Sequence, residues 1–199
     1  HGPISDRTWD EVRGLDAGSW FDPGFRDCRL PTLEEAIELA EAASIPLCIE
    51  IKGTAADAPR TAVEVARLLR ERGLLDRMFV SSFDHAALAA ATTDVGAILL
   101  APERLPESGP SDPATAVAQA RAVGATALQH RWEDLTTEVV EALHDADVAV
   151  WAWPIDSQEA IAHSVAVGAD GIIGDDVELL RTGLELAGVF GTDGAVHPA

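Results

Sequence analysis

The chain has 199 residues, with 34 Asp plus Glu against 14 Lys plus Arg, for a net charge of −20. Its 47% hydrophobic content gives it enough apolar surface to offset the entropy of ordering, which excludes a disordered acidic chain. The charge argues against nucleic acid and anionic membranes as partners, since both demand basic patches, but it leaves room for one cation or a small phosphate compound at a local site. No apolar run approaches the roughly 20 residues of a membrane span. Cys28 and Cys48 lack zinc-finger or disulfide-scaffold spacing and read as reduced small hydrophobes. No signal peptide is visible, so the expected location is cytoplasmic.

Residues 1–31 lack steady periodicity and read as a turn-rich approach with a short helix over 8–15. Thr32-Leu33-Glu34-Glu35 is a capping box, followed by the apolar face Ile37, Leu39 and Ala40. Residues 47–52 form a β-like run, and a helix over 60–72 is closed by Gly73. A strand over 78–82 precedes a helix capped by Asp84, and a strand over 97–101 precedes one opened by Ser111-Asp112-Pro113 and ended by Gly124. Strands over 126–129, 148–153 and 171–174 alternate with helices opened by Thr136 and Ser157 and with a last helix running through Leu180 and Gly183. Six strand–helix pairs in series imply parallel strands with right-handed crossovers. Their nearly continuous apolar runs suit a doubly wound open sheet or a (β/α)8 barrel. A whole barrel usually has eight strands and about 250 residues.

The most informative segment is Ile49-Glu50-Ile51-Lys52-Gly53. Alternate strand residues share a face, so Glu50 and Lys52 point the same way. They stand at the carboxyl end of a strand, where α/β folds place their clefts. Two ionisable groups there are costly unless paired, metal-bound or solvated. A plain ion pair is one reading. The other is a hard oxygen ligand for Mg²⁺ or Ca²⁺ beside a phosphate-binding cation. Of the 14 basic residues, Lys52 is the only lysine; a compact ammonium suits a crowded phosphate oxygen better than a planar guanidinium.

These residues, together with Leu15-Asp16-Ala17-Gly18-Ser19-Trp20-Phe21, Leu30-Pro31-Thr32-Leu33-Glu34-Glu35, Ser81-Ser82-Phe83-Asp84, Val150-Trp151-Ala152-Trp153 and Gly168-Ala169-Asp170-Gly171-Ile172-Ile173, resemble the middle and C-terminal parts of the glycerophosphodiester phosphodiesterases. The resemblance runs from about Gly2 to Leu180. It implies a (β/α)8 TIM-type barrel, with six of its eight βα units here and the first two lacking. Residues 1–185 would be a partial barrel domain and 186–199 a C-terminal tail. It also implies metal-dependent hydrolysis of glycerophosphodiesters to glycerol 3-phosphate and an alcohol, with Glu50 a metal ligand (Mg or Ca), Lys52 contacting phosphate, and Trp153 and Phe83 in the pocket wall. Without the resemblance both aromatics read as core.

The family's first two strands carry His-Arg-Gly and a Glu-x-Asp pair, and a His-Asp pair follows them. None of these motifs stands before Leu15, and His1 is not promoted to a catalytic role. The catalytic residues are therefore unknown, and the chain alone is expected to be impaired. Among the other histidines only His130 falls in a cleft position; His85, His144 and His163 read as cap or helix residues. Asp156 and Asp175 follow strands and read as N-cap or loop acids. The loop over 102–110, with three prolines, would rim the mouth. A small-molecule glycerophosphodiester is the expected ligand, and open barrel edges would favour self-association. A non-catalytic phosphodiester- or metal-binding module, a phospholipase-D-like barrel and an open-sheet protein remain as alternatives.

Overall fold

The computed structural model describes residues 2–105 and 111–189; His1, part of the proline-rich loop and most of the expected tail lie outside the described residues. Two compact units emerge, His1–Leu47 and Cys48–Ala199.

The first unit holds the helices α1 (Trp9–Val12) and α2 (Leu33–Ala43). The predicted capping box at α2 forms. Glu35 N–H donates to Thr32 Oγ1 at 3.1 Å, and Thr32 N–H donates back to the Glu35 carboxylate at 2.8 Å. Between the helices, Asp16 organises a loop by accepting from the backbone amides of Gly18 and Ser19 and from the Ser19 hydroxyl. These donors favour its ionised form and hold its carboxyl well below the usual range, led by the Ser19 hydroxyl.

The second unit is six strand–helix pairs in the predicted order. They are β1 (Cys48–Glu50) with α3 (Ala58–Glu71), β2 (Phe79–Ser81) with α4 (His85–Val95), and β3 (Leu99–Leu100) with α5 (Pro113–Val123). Then come β4 (Ala127–Arg131) with α6 (Thr137–His144), β5 (Ala149–Trp153) with α7 (Gln158–Ala166), and β6 (Gly171–Ile172) with α8 (Val177–Leu186). The caps read from the sequence are those used: Asp84, Asp112, Thr136 and Ser157 each accept a backbone N–H of the following first turn.

All strand pairs are parallel, in two sheets ordered β1-β2-β3 and β4-β5-β6. Backbone bonds just beyond β3 sew the sheets together. Thr126 N–H donates to Leu100 O at 2.9 Å, Gln129 N–H to Pro102 O at 2.8 Å, and Arg104 N–H to Gln129 O at 2.7 Å. This is the strand order of a TIM-type barrel, present here as six of its eight βα units.

The strands bury one face against the helices. Val80, Leu100, Leu128, Val150 and Ala152 are fully buried. On the opposite face Phe79 of β2 meets Trp151 of β5 edge to face, with ring centroids 4.7 Å apart. Gly171 on β6 makes room for that indole: a Cβ there would stand 2.9 Å from Trp151 Cδ1. Outside the sheets, Arg67 of α3 grips Asp94, in the last turn of α4, through two bonds of 2.8 and 2.7 Å.

One expectation needs correction, while Cys28 and Cys48 are free thiols, both exposed. The helix expected over residues 8–15 is a single turn, because the Asp16 loop begins where its second turn would be. Leu128→Ala should lower the free energy of unfolding by about 2–5 kcal/mol, the usual range for truncating a fully buried leucine, read from the urea midpoint at unchanged slope.

Candidate functional site

The carboxyl ends of the strands in the second unit surround a cleft of about 490 Å³, within the range of small-molecule sites. Each contributes differently. Glu50 ends β1, with Lys52 two residues on; Phe83 follows β2; Glu103 follows β3; Gln129 lies on β4; Trp153 ends β5. Asp156, Asp175 and Asp176 complete the acidic part of the wall. All four residues singled out from the sequence, Glu50, Lys52, Phe83 and Trp153, thus line the same cleft.

Glu50 and Lys52 are ion-paired, Nζ to Oε2 at 3.1 Å, with 34% of the Glu50 side chain and 78% of the Lys52 side chain exposed. A pair so open to water contributes at most about 1 kcal/mol to stability, so its placement matters more than its strength. The ammonium stands at the mouth, free to exchange a carboxylate oxygen for another anion. Phe83 and Trp153 meet edge to face at 5.7 Å, forming an aromatic wall beside it. The Trp153 Nε1–H is buried without a hydrogen-bond partner.

Glu103 went unread in the sequence, because it lies in an aperiodic stretch between Pro102 and Pro106. It is 4% exposed, and its Oε2 has no hydrogen-bond partner among the described residues. Burial pushes its carboxyl up to about 7 and the nearby Glu50 charge adds to this, outweighing its own backbone, the Ser81 hydroxyl and Lys52. Gln129, opposite it across the sheet junction, donates its amide to Ala101 O at 2.9 Å.

The histidines are engaged elsewhere. His130 is fully buried, with Nδ1 2.8 Å from Arg131 O and Nε2 2.7 Å from Ser111 Oγ, and burial lowers its pKa. His144, followed by Asp145 on the chain, pairs with Asp170 at 2.8 Å, and His163 reaches Leu135 O. His85 Nε2 lies 2.8 Å from the backbone oxygen of Glu103 and braces the segment that carries it. None of the four lines the cleft.

A parallel, barrel-type strand order with a Glu–Lys pair at the cleft defines an α/β protein of the TIM-barrel type. The sequence pattern of the glycerophosphoryl diester phosphodiesterase family matches residues 1–179. The chain belongs to that family of phosphoric diester hydrolases. A glycerophosphodiester phosphodiesterase of Caldanaerobacter subterraneus subsp. tengcongensis is 28% identical over 179 residues, covering 90% of this chain and 72% of the relative. Among solved structures, a phosphodiesterase of Oleispira antarctica, in complex with the product sn-glycerol-3-phosphate, superposes with a TM-score of 0.80 at 21% identity, covering 92% of this chain and 73% of its own. A glycerophosphodiester phosphodiesterase of Agrobacterium tumefaciens gives 0.72 at 19% identity, covering 91% and 74%. These two structures corroborate the fold.

The Glu103 shift has a sign that can be checked. A carboxyl held above its ordinary 4.5 stabilises the fold while protonated, fully below about pH 4.5 and no longer above about 7. The wild type should therefore lose up to about 3 kcal/mol between those pH values relative to Glu103→Gln, measured by urea unfolding at each pH.

Proposed function

We propose that the cleft binds glycerophosphodiesters and carries the phosphate- and metal-contacting part of a site that converts them to glycerol 3-phosphate and an alcohol. The observation that carries this reading is the convergence of Glu50, Lys52, Phe83 and Trp153 on one cleft at the carboxyl ends of the strands. The names of the relatives and the glycerol 3-phosphate held by the Oleispira antarctica phosphodiesterase support it.

In such a hydrolysis a water oxygen bonds to phosphorus as the bond to the leaving alcohol oxygen breaks. A base takes the water's proton, and an acid returns one to the leaving oxygen. Lys52 places its ammonium against a phosphate oxygen and offsets the anion's charge. The aromatic wall of Phe83 and Trp153 excludes water from the organic arm. Neither supplies the donor–acceptor pair, and the four histidines described above are held by other groups. The chain alone is therefore an impaired catalyst.

Glu50 suits one position on Mg²⁺ or Ca²⁺, because it is a hard, partly exposed oxygen donor. Such an ion, when bound, would neutralise charge on the phosphate. Among the described residues no three His, Cys, Asp or Glu side chains gather to hold a metal. The fit is thus to a single ligand, with no complete cage, and this shortfall favours a second reading, a non-catalytic phosphodiester-binding module.

The match over residues 1–179 supports treating 1–185 as one partial barrel domain. The outer edges of β1 and β6 have no strand beside them among the described residues, which supports self-association along them. Among the described residues no helix is long and apolar enough to cross a membrane. The two unpaired cysteines support a reducing, cytoplasmic setting.

Calorimetric titration of sn-glycerol 3-phosphate with Mg²⁺ or Ca²⁺ tests the binding. Lys52→Ala should weaken it by about tenfold or more, as expected for losing a charged hydrogen bond, and Glu50→Ala should remove the metal dependence. Hydrolysis of glycerophosphodiesters by this chain should be slow or undetectable. Turnover matching a whole enzyme and abolished by Glu50→Ala would overturn the impaired reading.

A further inference from the structure

Two polar atoms in the cleft wall are unmatched. Glu103 Oε2 is an acceptor when its carboxyl is ionised and a neighbour of the acid proton when it is not; Trp153 Nε1 is a donor only. Both are buried and neither has a hydrogen-bond partner among the described residues. Leaving such groups unpaired is costly, and they belong to side chains lining the same cleft. They are also braced. His85 bonds the Glu103 backbone oxygen, and Phe83 packs edge-on against the Trp153 ring.

One kind of ligand group suits the chemistry of both. A hydroxyl donates and accepts at once, so it can pair with a carboxyl in either protonation state and still receive an indole N–H. A phosphate oxygen cannot, because it only accepts and is repelled by an ionised Glu103. The anion belongs with Lys52, at the exposed mouth, and the buried pair belongs with a neutral, hydroxyl-bearing arm.

We propose that Glu103, seconded by Trp153 Nε1, is a specificity residue that reads a hydroxyl on the organic arm of the bound phosphate ester. The assignment rests on the proposed binding of glycerol phosphates here and deepens it: the ester is selected for its polyol arm as well as its phosphate.

Calorimetry with three probes separates the parts: sn-glycerol 3-phosphate, n-propyl phosphate, which lacks the hydroxyls, and inorganic phosphate. The wild type should favour glycerol 3-phosphate over propyl phosphate by about tenfold, the size of one buried hydrogen bond. Glu103→Leu should abolish that preference while still binding inorganic phosphate; Glu103→Gln, which keeps a polar amide, should retain part of it. Trp153→Phe should reduce it while keeping the ring. A wild type that binds both esters equally, or a Glu103→Leu protein that still prefers the glycerol ester, would overturn the role of Glu103 while leaving phosphate binding at Lys52 intact. A wild type that binds none of the three would instead overturn the binding function, and the assignment with it. Thermal melts of each variant show whether it is folded, and Glu103→Gln keeps the test decisive should the leucine variant not fold.

Discussion

The cleft depends on the seam between the two three-stranded sheets. Glu50, Lys52 and Phe83 come from the first sheet, and Trp153 with its neighbouring acids from the second. Bonds from Thr126 to Leu100, from Gln129 to Pro102 and from Arg104 to Gln129 bring them into one wall. The seam is carried by backbone bonds, which fix strand register, and the Thr126 hydroxyl and Gln129 amide add side-chain bonds to Leu100 O and Ala101 O. Glu103 sits on it, directly across from Gln129. A proline on either side limits how far this stretch can be absorbed into a strand, and the carboxyl is left facing the cleft.

Burial and exposure divide the labour within that wall. The helix-facing strand residues are sealed and do nothing but hold the frame. The other face grades from the Phe79–Trp151 contact, through half-buried Trp153, to Lys52 in open water. Under the proposed function, an ester entering the cleft would meet the cation first and the least solvated polar groups last. Electrostatic attraction acts over the Debye length and hydrogen bonding only in contact. The order of encounter is therefore also an order of increasing selectivity.

Much of this was legible in the sequence, for local reasons. Caps and closing glycines announce helices because they satisfy backbone groups within one turn, and the order of all six strand–helix pairs followed from them. Glu50 and Lys52 stood out because charges are conspicuous in an apolar strand. Glu103 did not, since an acid among prolines in a highly acidic chain carries no local contrast; only its burial sets it apart, and burial there is decided by the seam. The same limit explains His130. Its position beside a strand end suggested the cleft, yet its ring turns to the carbonyl of the next residue, Arg131, and to Ser111, 19 residues away. Cys48 stands on β1, an edge strand with one neighbour among the described residues, and is exposed there.

The cleft wall bears five carboxyl groups, Glu50, Glu103, Asp156, Asp175 and Asp176, and one ammonium. A doubly charged phosphate ester and this wall repel each other unless positive charge arrives with the guest. Under the proposed function, ester and cation would therefore bind together, each raising the apparent affinity of the other by the same factor. Occupancy would then follow the product of two concentrations, and the ionic composition of the surroundings would act as a co-ligand.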